Sequence, residues 1–294
     1  MRCLPSDERQ CDTTRKRAQN ARVRFRLRVA ALAAAAVVAA TALAAQEPRV
    51  LTAVPGDVVA IDGQATVFGK KWNGLIGVDL SVKPGTYRVI QTESGHKEPA
   101  GSTVLHVLTK SFPVRRLKVS PDFVNPPAEA LTQIAEDNRK TAAAFARMTT
   151  RMWSGPFRFP VDGQPTSNFG TRSFYNGEPR SAHTGVDFIS PTGTPVHAAN
   201  RGTVVLAEPL YFTGNTVIVD YGDGLFSLFA HLSQFQVHAG DSVDAHTVIG
   251  LVGATGRVTG PHLHWTVRLQ GARVDPLSLV KATATGKTEQ AGQN

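Results

Sequence analysis

The sequence predicts a mainly β protein: a small N-terminal β-sandwich, a linking amphipathic helix and a C-terminal antiparallel β domain. Three observations predict it. β-Branched runs recur between Gly and Pro punctuation from residue 47 to 119, and one stretch at 125–148 carries apolar residues at helical spacing. From Phe157 to Val280 the strand-and-turn pattern then returns, with glycine-rich turns. A chain of 294 residues is long enough for two modest domains with cores of their own.

The first segment, 1–45, stands apart. Residues 1–28 hold nine basic and three acidic side chains, and so +6 of the chain's +9, leaving +3 for all that follows. The basicity therefore belongs to the N-terminus, and no nucleic-acid partner is expected. Residues 29–45, "VAALAAAAVVAATALAA", are uncharged and contain the small-x-small pattern Ala42-Leu43-Ala44. A positive region, an apolar region and such a site read as an export signal cleaved near Ala44. The second reading is an N-terminal anchor in the inner membrane, although the stretch is shorter than the roughly 20 residues a span needs. Either way the expected location is the periplasm or cell envelope. Cys3 and Cys11, the only cysteines, both precede this stretch, so the remainder has no disulfide and no cysteine ligand.

Residues 46–124 are expected to form the sandwich, from the runs "GDVVAID" (56–62), "TYRVIQT" (86–92) and "TVLHVLT" (103–109). His96 and His106 are isolated there and read as polar strand or surface residues. Residues 125–156 are expected to form a helical linker, with Asn125 as N-cap and Pro126 in the first helical position. Leu131, Ile134, Phe145 and Met148 share one face, expected to dock on a β domain. Residues 157–282 form the second β domain, with "YGDG" (221–224) as a hairpin turn, and 283–294 a flexible tail.

The chemistry starts from "TGPHLHW" (259–265). In an extended segment His262 and His264 face the same side, about 6.5–7 Å apart. "SAHTGVDF" (181–188) brings His183 and Asp187. Four residues of continuous strand would separate them by about 13 Å, so a bend is expected, with Gly185 providing the backbone freedom. His183, Asp187 and one imidazole of the 262/264 pair make two nitrogens and one oxygen. That is a zinc-type ligand set with a fourth position open to water, suited to hydrolysis. His231 in "FAHLS" is a lone histidine at a strand end.

Taken together, "HTGVDF", "GTPVHAANRGTV", "GNTVIVDYGDG", "FAHLS", "GLVGATGRVTGPHLHW" and "VDP" resemble the lysostaphin-type (LytM-like) zinc metallopeptidases over about 165–280. The resemblance implies one zinc ion held by His183, Asp187 and His264, with His231 and His262 as the catalytic histidines that are not ligands. It also implies an open groove and peptidoglycan peptides as the substrate. A histidine common in the family before the hairpin is replaced by Asp220. No H-E-x-x-H occurs, which excludes the glutamate-base mechanism of that other zinc class. In the N-terminal part, "PGDVVAIDG", "GVDLSVKPGTYRV" and "SFPVRRLKVSPDFVNPP" partially resemble the β-domain that precedes such catalytic domains in some diderm bacteria. The alternatives are a non-hydrolytic peptidoglycan-binding or amidase-activator module, which in degenerate relatives lacks the ligands kept here, and an exported protease acting on proteins. His197, His238 and His246 match no motif position, and oligomeric state is not legible.

Overall fold

The computed structural model describes residues 49–92, 103–118, 125–166 and 168–284. The export-or-anchor segment, His96 and most of the tail lie outside them. Among the described residues no helix is long and apolar enough to cross a membrane.

Five strands come first: β1 (Arg49–Ala53), β2 (Val58–Val67), β3 (Lys70–Gly77), β4 (Gly85–Thr92) and β5 (Thr103–Val107), in the order β1-β5-β4-β2-β3. β1 runs parallel to β5 and the other pairs are antiparallel. β4 pairs with β5 through Gly85–Val89 and with β2 through Ile90–Thr92, so the layer turns over along β4. Alternate residues thereby close around Trp72, Ile76, Val89 and Leu105, all nearly inaccessible.

β6 (Val114–Leu117) leaves this sheet and pairs in parallel with β7 (Arg172–Tyr175), which turns back through Asn176-Gly177 into β8 (Glu178–Pro179). Asn176 and Gly177 have φ of 54° and 91°, the left-handed pair that a two-residue hairpin turn demands.

The linking helix α1 spans Leu131–Phe145 after a 3₁₀ turn at Ala128–Ala130, and neither end has a side-chain cap. The expected cap at Asn125 is thus displaced. A residue before proline is disfavoured in the α region, and in "NPPA" Pro127 is itself extended (φ −64°, ψ 154°), so the turn starts after it. The expected apolar face is corrected as well: Leu131 and Met148 are exposed, and Ala144 is the buried position of the helix. The helix docks through its last turn, where Phe145 meets Phe226 edge-on at 5.7 Å. Upstream, Asp137 Oδ2 accepts the Tyr211 N–H at 2.7 Å.

The C-terminal sheet is antiparallel and centred on β13 (Leu225–Phe235). On one side lie β12 (Gly214–Gly222), β11 (Gly202–Leu210) and β14 (Ser242–Val243). The other side is divided. Residues 225–230 pair with β16 (Leu263–Leu269), and residues from Leu232 onward pair with β15 (Val248–Val252), beyond which lies β10 (Pro195–His197). β16 in turn pairs with β9 (Gly185–Phe188) and β17 (Ala272–Val274). The sheet thus splits at His231, and the split opens the groove that the resemblance implied.

A closing helix α2 (Pro276–Ala284) was not legible in "PLSLVKATA", a short run in which β-branched and threonine residues blur the period. Asp275 Oδ1 accepts the Leu277 N–H at 3.0 Å and begins it. The two sheets are tied by Arg273, whose Nη2 and Nε donate to Asp79 Oδ1 and Oδ2 at 2.7 and 3.0 Å.

Candidate metal centre

Register places the first two donors. In the antiparallel pairing of β9 with β16, Asp187 is directly opposite His264, so both side chains leave the same face side by side. His264 Nδ1 lies 2.9 Å from Asp187 Oδ1. His183 precedes β9, where the chain has turned: its N–H donates to Thr171 O at 3.0 Å and its carbonyl accepts the Gly170 N–H at 2.7 Å. This turn brings His183 Nε2 to 3.3 Å from Asp187 Oδ1 and 3.0 Å from His264 Nδ1.

Gly185 is needed for a reason other than the expected one. Its φ is not in the left-handed region. A Cβ there would sit 2.4 Å from Trp265 O and 2.8 Å from His264 Cε1, so the glycine lets the two neighbouring strands pair closely beneath the donors.

The hydrogen bonds around the donors set their lone pairs. Nδ1–H of His183 donates to Asn168 O at 3.3 Å, since a carbonyl can only accept, which leaves Nε2 bare. Nδ2 of Asn168 donates to Asp187 Oδ2 at 2.8 Å, leaving Oδ1 facing the imidazoles. Thr266 Oγ1, 2.9 Å from His264 Nε2, can accept its proton when Nδ1 is bare. Burial works to raise the Asp187 pKa, but the hydrogen bonds to His183 and His264 outweigh it and hold the carboxyl well below the usual range. Burial pulls the His264 imidazole down.

His183 Nε2, His264 Nδ1 and the ionised Asp187 Oδ1 then converge with mutual separations of 2.9–3.3 Å. With the imidazole protons on the outer nitrogens, three lone pairs meet at that spacing, an arrangement that a cation among them satisfies. Tetrahedral coordination at zinc–ligand distances of about 2.0–2.1 Å has edges of about 3.3–3.4 Å, so the donor set fits one such ion. Among the described residues His183, Asp187 and His264 are the group that could hold a metal.

Two further imidazoles face the triangle. His262 Nε2 is 3.9 Å from Asp187 Oδ1, and the His231 and His262 ring centroids are 4.8 Å apart. Nδ1–H of His262 donates to Gly260 O at 2.9 Å, and Nδ1–H of His231 to Thr255 O at 3.0 Å, so both turn a bare Nε2 into the site. His231 has φ 66°, an uncommon angle for a side-chain-bearing residue. It sits where β13 changes partners and its pairing with β12 shifts register. The irregularity turns its ring into the split. Burial lowers the His231 pKa to about 4, which keeps it neutral near pH 7.

All five sequence-selected residues therefore line one cleft of about 320 Å³, together with Phe212, Thr213 and Arg257 on one side and Arg115, Leu117 and Tyr175 on the other. The structure places other candidates elsewhere. His106 lies on β5, His197 on β10, and His238 and His246 in exposed turns. Asp220 is buried on β12, accepting Thr149 Oγ1 at 2.9 Å and the Gly222 N–H at 2.8 Å, and so ties the linker to the hairpin. Asn168, Thr266 and Arg115 were not singled out from sequence. Thr266 had a local signal, two residues from His264 on the same strand face; Asn168 and Arg115 reach the site only through long-range folding.

Residues 181–276 match the profile of peptidase family M23. A crystal structure of a putative M23 peptidase from Pseudomonas aeruginosa is similar at 32% identity with a TM-score of 0.60, covering 81% of this chain and 97% of that one. The peptidoglycan DD-endopeptidase ShyA of Vibrio cholerae is 37% identical over 139 residues, 46% of this chain and 32% of ShyA. The DD-carboxypeptidase/endopeptidase Mpg of Neisseria meningitidis is 43% identical over 101 residues, 34% of this chain and 23% of Mpg. The alignments thus span about a quarter to a third of these curated relatives.

Proposed function

The chain belongs to peptidase family M23, and from that premise we propose that it is an exported zinc endopeptidase that hydrolyses peptide bonds in the stems or cross-bridges of peptidoglycan. The observation that carries this reading is the convergence of three ligand-type atoms, two imidazole nitrogens and a carboxylate oxygen, beside two further imidazoles whose Nδ1 atoms are held by backbone carbonyls. The relatives named as peptidoglycan endopeptidases supply the substrate class.

His183 through Nε2, Asp187 through Oδ1 and His264 through Nδ1 would hold the ion. Zinc bound there supplies a Lewis acid that polarises a carbonyl and acidifies a water. His231 and His262 do the proton work. Each keeps a proton on Nδ1 against a backbone carbonyl, so Nε2 of the neutral ring can take a proton and then present it as N–H to a developing oxyanion or to the leaving amine. Asn168 and Thr266 orient the donors from behind. The groove formed where β15 and β16 part from each other along β13 admits an extended peptide.

The test is mass spectrometry of fragments released from purified sacculi by the zinc-loaded protein, with and without chelator, beside a casein digest. Chelator-sensitive release of cleaved stems supports the reading and identifies the bond. Casein cleavage without release from sacculi would replace it with a protease acting on proteins. No release from zinc-loaded protein would leave a binding module.

A further inference from the structure

One wall of the cleft is lined by Arg115 and Leu117 of β6 and Tyr175 of β7, strands that β8 extends, and owes nothing to the metal ligands. Segments 114–118 and 172–180 carry Arg115, Arg116, Lys118, Arg172 and Arg180 against the single carboxylate of Glu178, a net +4. Residues 29–294 as a whole carry only +3, so the positive charge of the folded part is concentrated on this wall. All five cations are exposed. Elsewhere Arg151, Arg273 and Lys140 are each paired with a carboxylate at 2.6–2.9 Å. Among the described residues none of the five wall cations has such a partner.

Alternation along β6 sorts them. Arg115 and Leu117 face the cleft, while Arg116 lies over the Phe174 ring at 5.1 Å. The polar contact of Arg115 is a long one, Nη2 to Ser173 Oγ at 3.4 Å, weak enough to be given up. Arg257, stacked on Phe212 at 4.3 Å, adds a cation to the opposite side of the same cleft. An apolar residue beside a guanidinium whose fork matches a carboxylate, within a field of like charge, is a recognition surface for an anionic chain.

We propose that the β6–β8 wall is a substrate subsite that selects peptides bearing free carboxylates, with Arg115 as the residue that contacts the carboxylate. This rests on the reading of the cleft as a peptidase site and names what that site prefers. The wall comes from a parallel pairing between the segment after the N-terminal sheet and the start of the peptidase domain. Specificity therefore resides partly outside residues 181–276, the stretch that the family profile matches.

The test separates binding from cleavage. Fluorescently labelled cross-linked peptide dimers, prepared with free carboxylates or fully amidated, are titrated against the zinc-loaded protein carrying His231→Ala, with and without Arg115→Gln. Cleavage is followed separately in the otherwise unaltered protein. The expected result is about tenfold tighter binding of the free-carboxylate dimer, lost in Arg115→Gln and kept only in part in Arg115→Lys, which has the charge without the fork, with binding of the amidated dimer unchanged. Equal affinity for both dimers, or an Arg115→Gln protein of unaltered preference, overturns the inference whether or not cleavage occurs. Absence of cleavage with the preference intact counts against the hydrolytic reading alone. Tighter binding of phosphatidylglycerol vesicles than of either dimer, through the same arginine, would replace the subsite with a membrane-facing surface.

Discussion

The side-chain amide of Asn168 donates to Asp187 Oδ2 at 2.8 Å, while the backbone carbonyl of the same residue accepts Nδ1–H of His183. One residue thereby orients two of the three donors. Asn168→Ala should lower zinc affinity about 10–100-fold, the usual effect of removing such support. Chelator competition on the purified protein measures this directly. Unchanged affinity would mean that strand pairing alone fixes the donors.

Ligand and catalytic histidines should separate by metal content. His264→Ala removes a donor and should lose both zinc and activity. His231→Ala should keep zinc and lose about 10²–10⁴ in kcat. Elemental analysis beside turnover decides between them; a zinc-free His231→Ala protein would make that residue a ligand.

The left-handed backbone of His231 carries a cost that glycine would not bear. His231→Gly should therefore unfold about 1 kcal/mol less readily than His231→Ala, although both lack the imidazole. Chemical denaturation of the two metal-free variants compares them, and a more stable alanine variant would show that the angle relaxes without the ring.

Gly185→Ala would drive a methyl toward Trp265 O and the His264 ring. Separation of β9 from β16 should cost about 1–3 kcal/mol and weaken zinc binding at the same time. Thermal unfolding and metal titration of this variant should move together.

The Asp79–Arg273 pair predicts acid sensitivity. Burial works to raise the Asp79 pKa, but the hydrogen bonds from Arg273 outweigh it and hold the carboxyl below its ordinary range. The folded state therefore binds a proton less readily than the unfolded one. The pair's contribution is present above about pH 4 and is lost as pH falls through the lower folded value. Asp79→Asn should cost about 1–2 kcal/mol near pH 7 and flatten the stability profile below pH 4, as read by urea midpoints across pH.

Legibility in the sequence followed the range of the interaction. His262 and His264 could be paired because a two-residue period is local, and the strand runs of β11, β12, β13 and β16 stand out for the same reason. Asn168 acts on Asp187 across 19 positions and Arg115 meets Ser173 across 58, and no local pattern marks such partners. The helix start was misplaced because two successive prolines delay it. Its face was misassigned because periodicity identifies an apolar stripe without saying what covers it. Gly185 was recognised as necessary, but the reason lay in the facing strand.

His183 and His264 are 81 positions apart, so an ion held between them acts as a cross-link over a long loop. Unfolding must release it, and each tenfold rise in free metal adds about 1.4 kcal/mol to the folded state once the site is saturated. The equilibrium stability of the fold then varies with the free metal around it. A protein short of zinc would be easier for proteases to open as well as slower to act, which couples its abundance to the same supply as its chemistry.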